Sequence, residues 1–304
     1  MSVTTCAASP PGTVLPGPRI MILALALALL AGMAGVPLAS PVATAVACVA
    51  LLVFGLPHGT LDLELIRARL TGPWTGMATL VALYLGFAAC MYAVWQVQPV
   101  LALAAFVAIA VVHFSEDWDA GPPLLRAAPA LALLAAPTLF HRAELDAIFV
   151  GLTNRADAGS VGAGLAIVAP VAIGLAAVAI GSLRRRGVRD QAIGAVAALV
   201  SMTILPPIVG FAVYFCFFHS PRHFHHSLAD LYWRGVRQWG WVVVPLTLAA
   251  GLLAAILFGV QMRAELADRI MAASFMTLSI LTVPHMLVPL LINRLVRRRQ
   301  SKLL

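Results

Sequence analysis

Apolar stretches of about 20 residues follow one another from Arg19 to Ile292, and they constrain this chain more than any other feature. A segment of that kind crosses a bilayer as one α-helix, because a helix satisfies its own backbone polar groups where no water can. The sequence predicts spans at 19–39, 42–62, 76–97, 99–115, 124–140, 161–183, 191–218, 240–262 and 270–292. Pro41, Gly72-Pro73 and Pro99 punctuate them as helix breakers do. A transmembrane β-barrel would show short alternating segments, and none occur. Only 11% of the residues are charged, where soluble chains carry about 25%, and mean hydropathy is +0.96. The expected fold is an all-α polytopic transmembrane helical bundle of about 8–10 membrane segments.

Residues 1–18, rich in Pro, Ser, Thr and Gly, are expected to form a disordered N-terminal tail. A single integral membrane domain would fill 19–293, and 294–304 would be a basic C-terminal tail. The first apolar run and the Ala43-Thr44-Ala45 triplet resemble a signal peptide, but with so many spans behind them they read as an uncleaved first helix. Cys6, Cys48, Cys90 and Cys216 lack the spacing of a zinc ribbon, and three of them sit in apolar runs as inert thiols.

The formal net charge of +8 does not mark a nucleic-acid binder. Nineteen of the 20 basic residues are arginines, set in short clusters between apolar segments. Basic loops stay cytoplasmic, which places Arg67 and Arg69, Arg184–Arg186 with Arg189, and the tail from Arg294 on that side. Segments 142–157 and 263–269 mix both signs and belong on the other side, with His141 solvated there. With both termini cytoplasmic in a multi-pass cell-membrane protein, three full spans after Arg189 would leave the tail on the wrong side. The run 191–218 is too short for two spans of about 20 residues each, and Pro206-Pro207 and Gly210 interrupt it. It is therefore expected to be discontinuous or re-entrant near Ile204–Gly210.

Five of the eight histidines lie in four short motifs: Gly55–Asp62, His113–Asp117, His219–His223 and Val283–Met286. Under the sidedness above, His58, His113 and His219 fall near the cytoplasmic ends of their helices. Polar groups inside apolar spans are costly, so they mark function by default. His219 and His223 are four apart and share a helix face. His58/Asp62 and His113/Asp117 have the same spacing, so each aspartate is expected to accept from its own histidine and free the other ring nitrogen for a metal. Ser220 and Pro221 would cap and open a helix, leaving His219 just before it. His285 is a candidate fifth ligand, substrate-pocket group or, with Asp62 and Asp117, outer partner of the ligands, while His225 and His226 read as interfacial or as outer partners too. Tyr214, Phe215, Phe217, Phe218, Tyr232, Trp233 and Trp239 fit an interfacial aromatic belt, or in part the wall of an apolar cavity. Imidazole ligands suit Zn, Cu, Fe or Ni, and ligand type alone does not choose among them.

The four motifs in this order resemble the Brp/Blh family of membrane β-carotene 15,15′-dioxygenases. The resemblance rests on P-H-G-x2-D at Pro57–Asp62, H-F-x2-D at His113–Asp117, Y-F-x3-H-S-x-R-H at Tyr214–His223 and the late Pro284-His285. It implies cleavage of the central double bond of β-carotene by O2 to two retinal molecules, with Fe(2+) on His58, His113, His219 and His223. It also implies a retinal-binding rhodopsin as client of the product. Ser115 departs from the pattern, where a small residue such as Gly is expected.

Two other readings compete. A membrane di-iron hydroxylase or desaturase would need about eight histidines in repeated boxes, whereas only one H-x3-H occurs. A metal or proton transporter would also place His and Asp beside a broken helix, but as a trail across the bilayer rather than a cluster near one face.

Overall fold

Six helices begin on a proline, whose fixed φ suits the first turn and whose missing N–H is one of the unpaired donors there anyway. They are α1 (Pro18–Met33), α2 (Pro41–Arg69), α4 (Pro99–Phe114), α5 (Pro123–Ala135), α6 (Pro137–Phe140) and α10 (Pro207–Tyr214). The others are α3 (Trp74–Val97), α7 (Arg142–Thr153), α8 (Gly159–Arg185), α9 (Arg189–Ile204), α11 (Ser220–Trp233), α12 (Gly240–Val260) and α13 (Leu266–Gln300). This computed structural model describes residues 17–69, 74–233, 240–263 and 265–300, without the side chains of 58, 62–69, 74–77, 233, 289, 290 and 292–300. Expectations for the tail before Gly17, for Arg67 and Arg69, and for the arginines after 292 lie outside the described residues.

No strand occurs among the described residues, and seven helical stretches are long and apolar enough to cross a membrane. The chain is thus an all-α, multi-pass membrane bundle. Its outer surface is apolar: Ile167 on α8 is 78% exposed and Trp241 on α12 81%. Water would not tolerate so much exposed hydrocarbon, whereas lipid does. Inside, helices approach through small residues, as Ala132 of α5 does against Ala172 and Ala176 of α8. Close backbone approach of this kind drives helix association where lipid is as apolar as the core.

Cross-contacts sort the connections to two ends. At one end, Gly17 lies against Asp190, the Asp119 amide donates to Gln191 Oε1 (2.6 Å), and Ser182 Oγ donates to Ala120 O (2.8 Å). At the other, Arg263 Nη2 donates to Leu152 O (2.9 Å) and His141 Nε2 to Thr203 O (3.0 Å). The two mixed-sign segments therefore share an end, opposite the Arg184–Arg189 cluster, as the charge pattern predicts. His141 is a correction: it is not solvated but 18% exposed, pinning the start of α7 to the end of α9.

The run 191–218 is interrupted as expected. Helix α9 ends at Ile204, Leu205 is extended (φ −87°, ψ 156°), and α10 starts after Pro206. Contacts nest about this corner: Ser201 Oγ donates to Gly210 O (3.2 Å), and further out Gly194 meets the Phe218 ring. Such nesting describes an antiparallel hairpin, which returns the chain to the end where α9 began.

A Cβ on Gly210 would stand 2.5 Å from the Ser201 carbonyl oxygen, a backbone atom that cannot swing away. Gly210→Ala is therefore expected to cost about 1–3 kcal/mol as overpacking. Thermal unfolding of the purified chain in detergent reads this as a lowered Tm, and an unchanged Tm would refute the close approach.

Helix α7 had no counterpart among the predicted spans. Leu145, Ile148, Phe149 and Leu152 recur at helical spacing and turn toward the core, and Asn154 in the left-handed region (φ 55°) closes the helix.

Candidate metal centre

Helix α4 carries His113 in its last turn and stops one residue later. The Ser115 hydroxyl donates to Val112 O (2.6 Å), competing for the helix's own acceptors, and the chain tightens into a 3-10 turn over Ser115–Asp117. This corrects the expected His113–Asp117 pairing, because the two no longer share an α-helical face. Asp117, only 2% exposed, instead accepts from His219 Nδ1 (2.9 Å) and from the Tyr214 hydroxyl (2.5 Å). Its other oxygen lies 3.5 Å from His223 Nε2. The next residue, Trp118, stacks on Phe218 at 5.3 Å and anchors the turn.

His219 does not precede a new helix, a second correction. Helices α10 and α11 are continuous through a π-helical turn over Phe215–His219. Pro221 explains the widening: inside a helix its ring displaces the carbonyl one turn back, and it has no N–H to donate. A π-turn relieves both conflicts without breaking the helix, and such turns recur at functional sites. The H-x3-H pair then converges as predicted, its rings 4.4 Å apart. Phe114 and Phe215 pack on His219 at 4.8 and 5.2 Å, leaving it fully buried. Tyr214, Phe215 and Phe218 are likewise buried around the site, not spread along an interface.

Two more helices complete the surround. On α13, His285 lies edge-on to His113 at 4.9 Å, and Met286 Sδ is 3.1 Å from His113 Nδ1. On α2, a Cβ at Gly55 would touch the Phe215 ring (3.0 Å) and one at Gly59 would approach His285 Nδ1 (3.8 Å). These glycines let α2 lie directly on the site. The Ser220 hydroxyl ties α11 to it by donating to Phe54 O, near Pro57 inside the helix. The side chains of His58 and Asp62 lie outside the described residues, though the α2 backbone at 58 runs beside the cluster.

Ring-nitrogen roles follow from these partners. His219 gives its Nδ1–H to Asp117 and His113 faces the weak acceptor Met286 with Nδ1, so both present Nε2 inward, 3.0 Å apart. Two lone pairs at that distance repel unless a proton or cation lies between them. Metal–imidazole bonds are about 2.1 Å, and two at a right angle place their nitrogens about 3.0 Å apart. One shared proton would not explain why His223 and His285 gather at the same point. Asp117, His219 and His223 offer ligand atoms within 4.8 Å of one another. The donor set fits a metal, with Asp117 orienting His219 as carboxylates commonly orient metal-bound histidines. His226 is exposed.

Sequence reasoning missed Tyr214 as the second donor to Asp117. Its spacing of five from His219 is an α-helical mismatch that only the π-turn brings into register.

A narrow apolar slot of about 80 Å3 begins at Phe114 and Phe211, beside the cluster, and ends at Leu145, Phe149 and Leu152 of α7. Along α4 it runs from Phe114 to Leu103, about 16 Å at 1.5 Å per residue. Among the described residues no polar side chain lines it. Beyond it lies a polar pocket of about 230 Å3 with Gln96, Thr153, Gln261 and Arg263 in its wall.

Known proteins resemble this chain over most of its length. A β-carotene 15,15′-dioxygenase of an uncultured marine bacterium, 66A03, is 27% identical over 249 residues, covering 79% of this chain and 90% of that one. A probable β-carotene 15,15′-dioxygenase Blh of Halobacterium salinarum is 28% identical, over 87% of this chain and 88% of that protein. No solved structure matches the chain. The model of the β-carotene 15,15′-dioxygenase family matches residues 49–292, an interval that holds every histidine of the cluster, and the chain belongs to that family.

Proposed function

We propose that this chain is a membrane dioxygenase that cleaves the central double bond of β-carotene with O2 to give two retinal molecules. The observation that carries the reading is the meeting of a buried His/Asp cluster with a wholly apolar slot. Iron(II) is the metal proposed, on His58, His113, His219 and His223, with Asp62, Asp117 and His285 behind them. Bound there, it would supply the binding and activation of O2.

The chain's own residues do the rest. Asp117 and Tyr214 hold His219 in one tautomer, and the aromatic shell of Phe114, Phe211 and Phe215 keeps water from the reacting centre. The slot receives one half of the polyene. A β-carotene is about as long as the hydrocarbon core is thick, about 30 Å, so a slot of about 16 Å matches half of it. A molecule seated to the slot's end would present its middle bond to the cluster. With a volume of only about 80 Å3 the slot must widen to admit a ring, by rotation of aromatic walls such as Phe106 and Phe149.

Transport would need polar groups continuing across the bundle, whereas the path leading from the cluster is apolar. The topology proposed is multi-pass in the cell membrane, with both termini cytoplasmic and the cluster near that face. Retinal leaves into the lipid bilayer, from which a rhodopsin apoprotein would take it.

Expression in a β-carotene-accumulating host tests the reading. The orange pigment should bleach and retinal should appear in the extract. Retained pigment with no retinal, despite membrane-inserted protein, would overturn it.

A further inference from the structure

The apolar slot and the polar pocket are stacked, and one residue is common to both walls. Leu152 lines each of them and is only 3% exposed. On the two other helices that line both, α13 and α4, the walls are at most one turn apart. Phe275 faces the slot and Met276 the pocket on α13, and Leu103 and Pro99 divide in the same way on α4. The pocket is built, not incidental. Arg263 is held in it by Nη2 to Leu152 O (2.9 Å) and Nε to Gln261 Oε1 (3.2 Å), and the Gln261 amide faces Met276 Sδ (3.1 Å).

Resting on the carotenoid reading above, we infer that Leu152 is the partition that decides which ring end groups the chain accepts. A substrate half seated to the end of the slot puts its ring against Leu145, Phe149 and Leu152. A hydrocarbon ring meets only hydrocarbon there. A ring hydroxyl would be stripped of water with no partner in the slot, and the donors and acceptors that would satisfy it lie one side chain away. Shortening Leu152 joins the two chambers. The hydroxyl then reaches Gln261, Thr153 or Arg263, and the selectivity relaxes.

The test uses the full-length chain, purified in detergent with Fe(II). The substrates are β-carotene and its analogue with a hydroxyl on both rings, so that either end entering the slot is polar. Retinal and hydroxyretinal are separated by chromatography, and kcat/KM is compared. Wild type should favour the hydrocarbon substrate by about tenfold to a hundredfold. Leu152→Ala should shrink that ratio by about tenfold, through gain on the dihydroxy substrate, with Leu152→Val between. Leu152→Met, which conserves volume, should keep the wild-type ratio.

Equal use of both substrates by wild type overturns the inference, and so does an unchanged ratio in Leu152→Ala or Leu152→Val. If Leu152→Ala fails to fold, the wild-type ratio and Leu152→Val still decide. A wild-type chain that forms no retinal from β-carotene defeats the carotenoid reading itself, an outcome distinct from cleavage of both substrates alike.

Discussion

Replacing His219 with alanine is expected to abolish retinal formation, a loss beyond the about 100-fold that removal of a ligand's outer partner costs. Three effects coincide at this one side chain. It removes the inward Nε2 that stands 3.0 Å from His113 Nε2, so a metal held by both would lose a ligand. It deprives the buried Asp117 carboxylate of its closest cationic or N–H partner after Tyr214. It also empties a space packed by Phe114, Phe215 and Tyr214. The second and third effects act on stability, since an uncompensated buried charge costs about 3–5 kcal/mol.

Activity alone would not separate these effects, so metal content and Tm are measured with it. Loss of iron from a chain that still folds assigns His219 to the metal. Full iron with near wild-type turnover would refute the assignment. His226→Ala is the matched control, because that residue is exposed and is not one of the grouped ligand candidates, and it should retain activity.

Most of the bundle was legible because lipid imposes a single rule: every apolar run of sufficient length becomes a helix. The spans from Pro41 to Val97 and from Gly240 to Val260 follow their apolar runs to within a few residues. The hairpin at Leu205-Pro206 was legible for a different reason. Two prolines and an arginine count conflicted with a simple crossing, and only a turn back reconciled them. Helix α7 was not legible, because a short amphipathic helix carries both charges and apolar residues and resembles a loop until its partners are known.

At the site, the histidines were readable one by one, since each is costly in an apolar run. Their pairing was not. The four-residue spacing of His113 and Asp117 promised a helical contact, but Ser115 ends the helix between them, and Asp117 serves His219, 102 residues away. Pro221 likewise read as a helix start, since an isolated sequence cannot show that Tyr214 to His219 would widen into a π-turn instead. Proline recurs beside the site. Pro57, Pro221 and Pro284 each lie within two residues of a motif histidine, and each removes one N–H from its helix. Thr60 Oγ1 donates to Pro57 O (2.9 Å), a side-chain bond within the same turn.

Asp117→Asn is expected to leave the fold standing while lowering metal affinity about 10- to 100-fold, the usual cost of losing a ligand's oriented partner. Asparagine fills the same volume between Tyr214 and His219, so packing changes little. The difference lies in charge and in proton placement. A carboxylate can only accept, which obliges His219 to carry its proton on Nδ1 and turn a bare Nε2 toward His113. The amide can also donate. If its NH2 faces His219, the ring proton moves to Nε2, and the inward lone pair is lost.

Tyr214→Phe removes one neutral donor and leaves the carboxylate, so its cost should be smaller, about 1 kcal/mol of stability with metal retained. Iron titration into the metal-free chain separates these cases. Asp117→Asn should need more iron to reach half-maximal activity and recover much of its turnover at excess iron, while Tyr214→Phe should titrate near wild type. Wild-type iron affinity in Asp117→Asn would show that the carboxylate does not orient His219 for a metal. The 2.9 Å contact would then be an ordinary buried hydrogen bond.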